Sequence, residues 1–325
     1  MTSIHFTLED IPNLAGRRVI VTGASSGIGQ AAAQIFAQKG ASVLNLDLDP
    51  PSSDYDDKKT EYRHCDVTDW KRLNEAFQYA GDVDIVVPNA GITGQPDFLA
   101  DTFDEATGHL MEPDYRVFDV NLRATINVAK LALSGFRRRG QPGSIVITGS
   151  AIGYAPEQWL PLYGASKAGL LGFMRALRSL VRHDDITINM VAPGPTLTGM
   201  MTDSIASTIT AAGVPLTTAH QVGLAIVYSA VAMQPVPVEA YGSETVSLSA
   251  APTRWNGRTI LVMGDQYTEI ERPLASLRPQ WLGVRNTELT RRQQAATDSR
   301  NPVAEEAGEG GGCDGVCGEA MMVRA

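Results

Sequence analysis

Cysteine is scarce in this chain of 325 residues, which has only Cys65, Cys313 and Cys317. Three cysteines so unevenly placed cannot form the disulfide framework of a small secreted domain. The segment GGCDGVCG has the short spacing of some metal sites, but it has no second cysteine pair and no nearby histidine. Because a structural zinc ion needs four ligands, no metal site is expected.

Positive charge is also scarce, with 27 Lys and Arg against 36 Asp and Glu and a formal net charge of -9. Such a surface would repel a nucleic-acid backbone, so nucleic acid is excluded as a partner. No apolar run is long enough to span a bilayer, and the start MTSIHFTLEDIPNL lacks the basic and apolar parts of a secretory signal. We therefore expect a cytoplasmic protein without a membrane span.

Short apolar segments recur along the chain with helical stretches between them. Near-continuous Val, Ile and Leu runs are typical of strands buried on both faces, and their alternation with helices predicts an α/β protein with a doubly wound parallel sheet. Helices are predicted at residues 27–39, 114–138, 162–183 and 218–233. Strands are predicted in RRVIVTG, ASVLNLD, VDIVVPNAG, SIVITGS, ITINMVAPG and RTILVMGD, with a weaker seventh in TEYRHCD.

The same pattern divides the chain into segments. Residues 1–13 are predicted to be an N-terminal extension, and residues 14–268 a single domain. Residues 292–325 are rich in Gly, Ala and Glu without apolar periodicity, which predicts a disordered tail. Residues 269–291 are expected to pack on the domain through Leu274, Leu277, Trp281 and Leu282.

Each of the six stronger strands ends in Gly, Pro, Ser, Asn or Asp, and ligands of open α/β sheets bind outside these carboxyl ends. The first strand runs into VTGASSGIGQ, with Gly23, Gly27 and Gly29, and then into a helix. Glycines in this order allow backbone amides to approach a pyrophosphate at a helix N-terminus. A turn needs glycine in any case, but the strand, turn and helix together predict a dinucleotide site.

Two acidic positions follow the next strands. Asp47 ends the second strand eighteen residues after Gly29, where a carboxylate can bind both adenosine ribose hydroxyls and repel a 2′-phosphate. NAD is therefore predicted over NADP, unless Asp47 merely ends a strand in an acidic loop. Asp66 and Val67, in CDVTD, are candidates for the adenine edge and face. Alternatively the segment is a helix cap, in which Thr68 or Asp66 bonds to first-turn amides.

Tyr163 and Lys167 stand four residues apart at the start of a predicted helix, so they share one face. A tyrosine has a pKa near 10, and an ammonium about 4 Å away is worth roughly three pKa units at an effective dielectric constant of about 20. Ser150, at the end of SIVITGS, would bring a hydroxyl to the same edge to polarise a substrate oxygen. The alternative is a half-buried tyrosine beside a solvated lysine.

Asn121 lies inside the predicted helix FDVNLRATINVAK although asparagine is a poor helix former. It is a fourth candidate for the site, and the alternative is a satisfied, half-buried amide.

These motifs together resemble the short-chain dehydrogenase/reductase family. TGASSGIG is similar to its TGxxxGxG, PNAG to its NNAG, PGPTLT to its PGxxxT, and Asn121, Ser150, Tyr163 and Lys167 to its catalytic tetrad. The resemblance covers about residues 14–268 and implies a Rossmann-type fold. Pro88 stands where the family usually has the first Asn, which puts one local hydrogen bond in doubt because proline has no N–H.

The resemblance also implies roles. Tyr163 would be the general acid/base, Lys167 would lower its pKa and hold the nicotinamide ribose, Ser150 would orient the carbonyl, and Asn121 would support a proton relay through water. Cofactor contacts are implied, besides Asp47, Asp66, Val67, Tyr163 and Lys167, at the glycine-loop positions Gly23, Ser25, Ser26, Gly27, Ile28 and Gly29, at Asn89, Ala90 and Gly91, and at Pro193, Gly194, Thr196 and Thr198.

The segments expected to face the substrate contain no Lys or Arg: residues 93–115, residues 151–162 and a substrate lid at about 194–217. An enzyme that selects an anion usually places a cation where the anion binds, so an uncharged substrate is predicted. Apolar side chains recur in these segments. They either line a substrate pocket or belong to the core and to dimer contacts, and they are Phe98, Tyr154, Trp159, Leu197, Met200, Met201, Ile205 and Ile209.

The sequence thus predicts an NAD(H)-dependent enzyme that interconverts a secondary alcohol and a ketone on an apolar, sterol-, terpenoid- or polyketide-like molecule. By resemblance it would be a homodimer or homotetramer paired through the helices at 114–138 and 162–183. Alternatives are an NADPH-dependent ketoreductase, an enzyme that uses bound cofactor for cyclisation or isomerisation, and a non-catalytic scaffold.

Overall fold

The computed structural model describes residues 2–52, 58–94, 97–244 and 252–298. The predictions for residues 299–325, including Cys313 and Cys317, lie outside the described residues.

A nine-stranded sheet forms the centre of the molecule, in the order β1-β13-β12-β7-β6-β5-β2-β3-β4. The seven strands from β12 to β4 are parallel and are the seven that the sequence predicts, whereas β13 and β1 add an antiparallel edge. The strands of this sheet are β1 (Ser3–Ile4), β2 (Arg18–Thr22), β3 (Ser42–Asp47), β4 (Thr60–His64), β5 (Ile85–Val87), β6 (Gly143–Thr148), β7 (Ile186–Pro193), β12 (Thr259–Met263) and β13 (Gln266–Glu269).

In the described part of the chain, two further pairs of two-residue strands lie outside the main sheet. The parallel pair, β8 (Thr196–Leu197) and β9 (Thr217–Thr218), joins the two ends of the predicted lid. The antiparallel pair is β10 (Met233–Gln234) and β11 (Thr253–Arg254).

Helices cover both faces of the sheet. The predicted helix at 114–138 is interrupted: a short turn of helix is followed by a π-helical turn, Asp119–Ala124, before the regular helix begins. The helices are α1 (Gly27–Gln38), α2 (Trp70–Ala80), α3 (Arg116–Phe118), α4 (Thr125–Arg139), α5 (Pro161–Val181), α6 (Asp203–Ala211), α7 (Ala219–Val231), α8 (Glu271–Ser276), α9 (Arg278–Trp281) and α10 (Val284–Ala296).

Two hydrophobic cores lie on the two sides of the sheet. Helices α1 and α7 cover one side, where Val19, Val21 and Val43 project, and helices α2, α4 and α5 cover the other, where Ile20, Leu44 and related residues project. Successive strand residues therefore enter opposite cores, as the pleat requires. β4 is less apolar because it is the edge strand and only partly buried, which accounts for its weak signal in the sequence.

The predicted N-terminal extension is an integral part of the domain. β1 pairs with β13, and Phe6 stacks between Tyr228 and Tyr267 with ring centroids 4.0 and 4.2 Å away. Ile11 is also buried in the core beneath α1 and α7. The first thirteen residues contain few apolar side chains, but Phe6 and Ile11 are buried and hold the segment on the domain.

The C-terminal segment is held differently from the prediction. Leu274, Leu277 and Trp281 are exposed, the last by 64%, and Leu282 is only partly buried. The buried residue of this segment is instead Glu271, which is 2% exposed and pairs with arginines of α5. Helix α10 continues to Ala296, so the boundary of the predicted tail at residue 292 falls too early.

Among the described residues, no helix has the length and apolarity needed to cross a membrane. The same part of the chain contains no cluster of His, Cys, Asp or Glu that could hold a metal ion.

Candidate active site

The glycine loop after β2 has the shape of an anion cradle. Gly23 and Gly27 have φ angles of 68° and 53°, in the left-handed region that favours glycine. A Cβ on Gly29 would lie 2.2 Å from the Gly23 carbonyl oxygen, so the first turn of α1 can approach the strand only with glycine there. Ser26 is the N-cap of α1 and makes no side-chain capping bond, and Ile28 packs against the core. This backbone fits the pyrophosphate of a dinucleotide.

Asp47 holds the glycine loop at the end of β3. Its carboxylate accepts hydrogen bonds from the Ser25 amide at 2.9 Å and the Leu48 amide at 2.7 Å. Asn45, which sequence reasoning missed, is fully buried beside it; it accepts a bond from the Ala24 amide and donates one to Ser25 Oγ. The carboxylate therefore lies next to the cradle, at the position predicted to contact the adenosine ribose.

Asp66 and Val67 follow β4 at the same edge. Asp66 accepts bonds from the Thr68 amide and hydroxyl at 2.8 and 2.7 Å, a local turn rather than the cap of α2. That cap is Asp69, which accepts bonds from the amides of Lys71 and Arg72.

Asn89 connects three strands with its side chain. Its Nδ2 donates to the carbonyls of Thr22 and Gly23 at 3.0 and 3.1 Å, and its Oδ1 accepts from Thr148 Oγ1 at 3.0 Å. Because these bonds occupy the amide, Asn89 shapes the edge where a dinucleotide would lie. β5 ends at Val87, before Pro88, whose carbonyl still accepts a bond from the Thr148 amide.

Ala90 and Gly91 continue this edge of the sheet toward Asn121 and Lys167. Ala90 lies directly against Gly23, where a Cβ would be 2.9 Å from the Ala90 Cα. A Cβ on Gly91 would be 3.2 Å from Asn121 Oδ1 and 3.8 Å from Lys167 Nζ. Gly91 thus brings the loop close to the buried ammonium.

Asn121 lies in the π-helical turn and is fully buried. Its Oδ1 accepts from the Ile92 amide and its Nδ2 donates to the Ile92 carbonyl, both at 2.8 Å, with Ser166 Oγ at 3.3 Å. The amide is satisfied, as in the alternative considered above, and it ties the loop after β5 to the helix. π-helical turns are frequent at functional sites because they shift the backbone register locally.

Ser150, Tyr163 and Lys167 lie close together at the end of β6 and the start of α5. Ser150 follows β6 and caps a 3-10 turn, Ala151–Gly153, with its Oγ 3.2 Å from the Ile152 amide. A hydrogen bond joins the side chains of Ser150 and Tyr163. On the next turn of α5, Lys167 Nζ lies 5.6 Å from the Tyr163 ring centre and donates to the Thr148 carbonyl at 3.0 Å.

Burial governs the electrostatics of this group. Burial lowers the pKa of Lys167 to about 8. Burial also raises the pKa of Tyr163, an effect that the hydrogen bond with Ser150 opposes. The pKa of Tyr163 therefore moves upward, opposite to the predicted lowering by Lys167, because burial is the larger effect.

The predicted nicotinamide side is built at the end of β7. Pro193 ends this strand, the Gly194 amide donates to the Val262 carbonyl at 2.8 Å, and Thr196 Oγ1 donates to the Gly194 carbonyl at 2.9 Å. Thr198 approaches the glycine loop, since a Cβ on Gly27 would be 3.2 Å from its Cγ2. The start of the lid therefore touches the cradle.

Three features thus meet at one edge of a parallel sheet: a glycine cradle, a buried lysine and a tyrosine paired with a serine. Residues 17–208 match the family model for the short chain dehydrogenases. The chain belongs to the short-chain dehydrogenase/reductase family. It is an oxidoreductase that acts on CH–OH or ketone groups with a nicotinamide dinucleotide.

Relatives of the chain span nearly its whole length. It is 50% identical over 300 residues to the short-chain dehydrogenase/reductase prx4 of Penicillium roqueforti, covering 92% of this chain and 90% of the relative. It is 43% identical over 309 residues to the short-chain dehydrogenase/reductase ATR7 of Stachybotrys chlorohalonatus, covering 93% and 95%.

A solved structure shares the fold. The 3-ketoacyl-(acyl-carrier-protein) reductase of Brucella melitensis, solved with NADH, matches with a TM-score of 0.58 at 22% identity, over 67% of this chain and 92% of that one.

Proposed function

We propose that this enzyme interconverts a secondary alcohol and a ketone on an uncharged, largely apolar small molecule, with NAD(H) rather than NADP(H). The main support for this proposal is the group of Ser150, Tyr163 and Lys167. In this group the Tyr163 phenol is hydrogen-bonded to the serine and covered by the buried ammonium of Lys167. Its position beside the glycine cradle supports a reaction at the nicotinamide end of a bound dinucleotide.

Tyr163 would be the general acid/base. In the oxidative direction its phenolate takes the proton of the substrate hydroxyl, and in the reductive direction the phenol returns it to the carbonyl oxygen. Ser150 would donate a hydrogen bond to the same oxygen and so hold it within reach of Tyr163. Lys167 would place a positive charge over the phenol ring and hold the nicotinamide ribose.

The residues present fit a dinucleotide, which supplies or accepts the hydride when bound. Gly23, Gly27 and Gly29 would hold its pyrophosphate. Asp47 would accept hydrogen bonds from the adenosine ribose and repel a 2′-phosphate, which favours NAD. Asn121 would act by fixing the loop at Ile92, and a proton relay through it would use backbone groups because its side chain is already bonded.

An uncharged substrate is supported by the charges around the cleft. The described parts of residues 93–115 and of the lid contain acidic residues but no Lys or Arg. Several apolar side chains of these segments remain exposed and available to an apolar ligand. They include Phe98, Phe103, Leu110, Met111, Leu197, Met200 and Ile205, and Trp159 of the turn at residues 151–162 is exposed as well.

The reaction is tested by following the absorbance of reduced nicotinamide. The purified protein would be given NAD or NADP with cyclohexanol, borneol and a hydroxysteroid, against charged alcohols such as a hydroxy acid. We expect turnover of the apolar alcohols with NAD, and a loss of about 10²- to 10⁴-fold in kcat for Tyr163→Phe. Net rearrangement of a substrate without a change in the nicotinamide absorbance would instead indicate isomerisation or cyclisation.

We further propose that the enzyme is a homodimer or homotetramer and works in the cytoplasm. The exposed Leu180 on α5 supports pairing through the helices at 114–138 and 162–183. Light scattering after size exclusion would give the mass, and a monomer at micromolar concentration would contradict the proposal.

A further inference from the structure

A buried ion-pair network joins the C-terminal segment to α5. Glu271 accepts two hydrogen bonds from Arg175, both at 2.8 Å, and one from Arg178 at 3.2 Å. Arg178 and Arg278 also pair with Glu239. Because burying a carboxylate is costly unless its oxygens are fully bonded, this network requires a closely defined geometry. Arg175 and Arg178 lie on the same helix as Tyr163 and Lys167.

Tyr154 connects this network to the turn that carries Ser150. Its hydroxyl donates to Glu271 Oε1 at 2.7 Å and lies 3.0 Å from Thr259 Oγ1. Burial and the neighbouring Glu271 charge raise the pKa of Tyr154, so the hydroxyl keeps the proton that it donates. The Arg175 guanidinium also lies 5.8 Å from the centre of the Tyr154 ring.

Tyr154 directly follows the 3-10 turn that Ser150 caps. The amides of Tyr154 and Ala155 both donate to the Ala151 carbonyl at 2.9 Å, which makes the turn and Tyr154 one hydrogen-bonded unit. On one side the turn touches α5, where a Cβ on Gly153 would be 3.2 Å from the Lys167 carbonyl oxygen.

On its other side the turn Ala151–Gly153 borders a cavity. Gly153 and Tyr154 border a cavity of about 290 Å³ that is otherwise lined by residues of α5, α8 and α9. On this side the turn is held by the hydrogen bonds of Tyr154 and not by dense packing.

We propose that Tyr154 and Glu271 are positioning residues that hold Ser150 at the correct distance from Tyr163. The Ser150 turn and the helix that carries Tyr163 are both bonded to the same carboxylate, so Glu271 sets their relative position. Neither residue touches the reacting atoms. This inference rests on the roles of Ser150 and Tyr163 proposed above.

The test compares Tyr154→Phe and Glu271→Gln with the matched control Glu239→Gln. The control removes the same charge from the same arginine network without touching Tyr154. For oxidation of borneol with NAD, we expect kcat to fall about ten- to a hundredfold in the first two variants, because small displacements of catalytic groups have effects of this size. KM for NAD should stay unchanged, since the glycine cradle is not altered, and Glu239→Gln should keep the wild-type kcat.

Amide hydrogen exchange provides a second measurement that needs no substrate. The amides of Ile152, Gly153, Tyr154 and Ala155 should exchange faster in Tyr154→Phe than in the wild type and in Glu239→Gln, because the turn loses its anchor. Unchanged exchange there would overturn the inference, whether or not a substrate has been found.

The inference and the proposed function fail in different ways. Wild-type turnover that is insensitive to Tyr163→Phe would refute the proposed function. Turnover that depends on Tyr163 but has a wild-type kcat in Tyr154→Phe would refute the positioning role alone. An equal loss of kcat in Glu239→Gln would also refute it, because the effect would then be general destabilisation.

Discussion

Lys167 Nζ lies over the face of the Tyr163 ring, 5.6 Å from its centre, and its hydrogen bond goes to the Thr148 carbonyl at the end of β6. The ammonium is therefore fixed by the sheet and not by the phenol that it is proposed to assist. Its charge is available to Tyr163 only while it remains protonated, in a position where burial lowers the pKa of Lys167 to about 8.

The rate of ketone reduction should therefore fall as the pH rises through about 8. Below that value the ammonium is charged and Tyr163 keeps the proton that it donates, since burial raises the Tyr163 pKa. Lys167→Arg keeps its charge to a pH of about 12, so the fall should move to higher pH. The measurement is kcat against pH for both proteins, and an unchanged profile in the arginine variant would contradict this role of Lys167.

Stability should respond to pH in the opposite sense. A lysine with a lowered pKa in the folded protein binds fewer protons there than in the unfolded chain, between about 8 and its ordinary value of 10.5. The free energy of unfolding should therefore rise with pH across this window. Urea unfolding of the wild type and Lys167→Met isolates the contribution of this one group, and parallel curves for the two proteins would exclude it.

Asp47→Ala should relax the preference for NAD. Removal of a carboxylate from the proposed ribose position removes repulsion of a 2′-phosphate, so the ratio of kcat/KM with NAD to that with NADP should fall by about tenfold or more. Asp49→Ala, which removes the same charge two residues further on, is the control. A ratio that falls equally in both variants would indicate a general field effect instead of a direct contact.

Gly29→Ala should abolish dinucleotide binding. The added Cβ would lie 2.2 Å from the Gly23 carbonyl oxygen, so the cradle must open, at a cost of about 1–3 kcal/mol of stability. In the control Gly172→Ala, the added Cβ would meet no described heavy atom within 4 Å. Calorimetric titration with NAD compares the two, and wild-type affinity in Gly29→Ala would contradict the assignment of the cradle.

Phe6→Ala should destabilise the protein by about 3 kcal/mol or more, because Phe6 is 6% exposed and stacked between two tyrosines. Phe98→Ala, at a 50% exposed position, should change stability by less than about 0.5 kcal/mol. Thermal unfolding of both variants makes the comparison, and equal stability would mean that the first residues are not docked as described.

The parallel sheet and the glycine turn after β2 could be predicted from the sequence because their signals are local. A buried strand needs a continuous apolar run, and a close approach to the backbone needs glycine. Strand β2 and the glycine turn after it can therefore be predicted without knowledge of the fold. Tyr163 and Lys167 are equally local, since four residues on a helix fix a shared face.

The supporting residues could not be read in this way. Tyr154 and Glu271 are far apart in the sequence, and nothing near either one identifies its partner. The sequence predicts that the C-terminal segment packs through Leu274, Leu277, Trp281 and Leu282, but the ion-paired carboxylate of Glu271 holds it instead. A buried acidic residue gives the same sequence pattern as a solvated one. Asn45 was likewise not identified, because its role lies in bonds to the neighbouring glycine loop. Asn89 stays a predicted cofactor contact, and its bonds to two neighbouring strands could not be inferred from the sequence.

The pairing of β1 with β13 brings the beginning of the chain to the outer rim of the sheet. β13 spans Gln266–Glu269, and without Ser3 and Ile4 its outer backbone groups would be free to pair with any other extended segment. Deletion of the first seven residues would therefore leave β13 as an unpaired edge strand that can pair with another copy of the chain. Preparations that lack those residues should form soluble aggregates at concentrations where the intact chain does not.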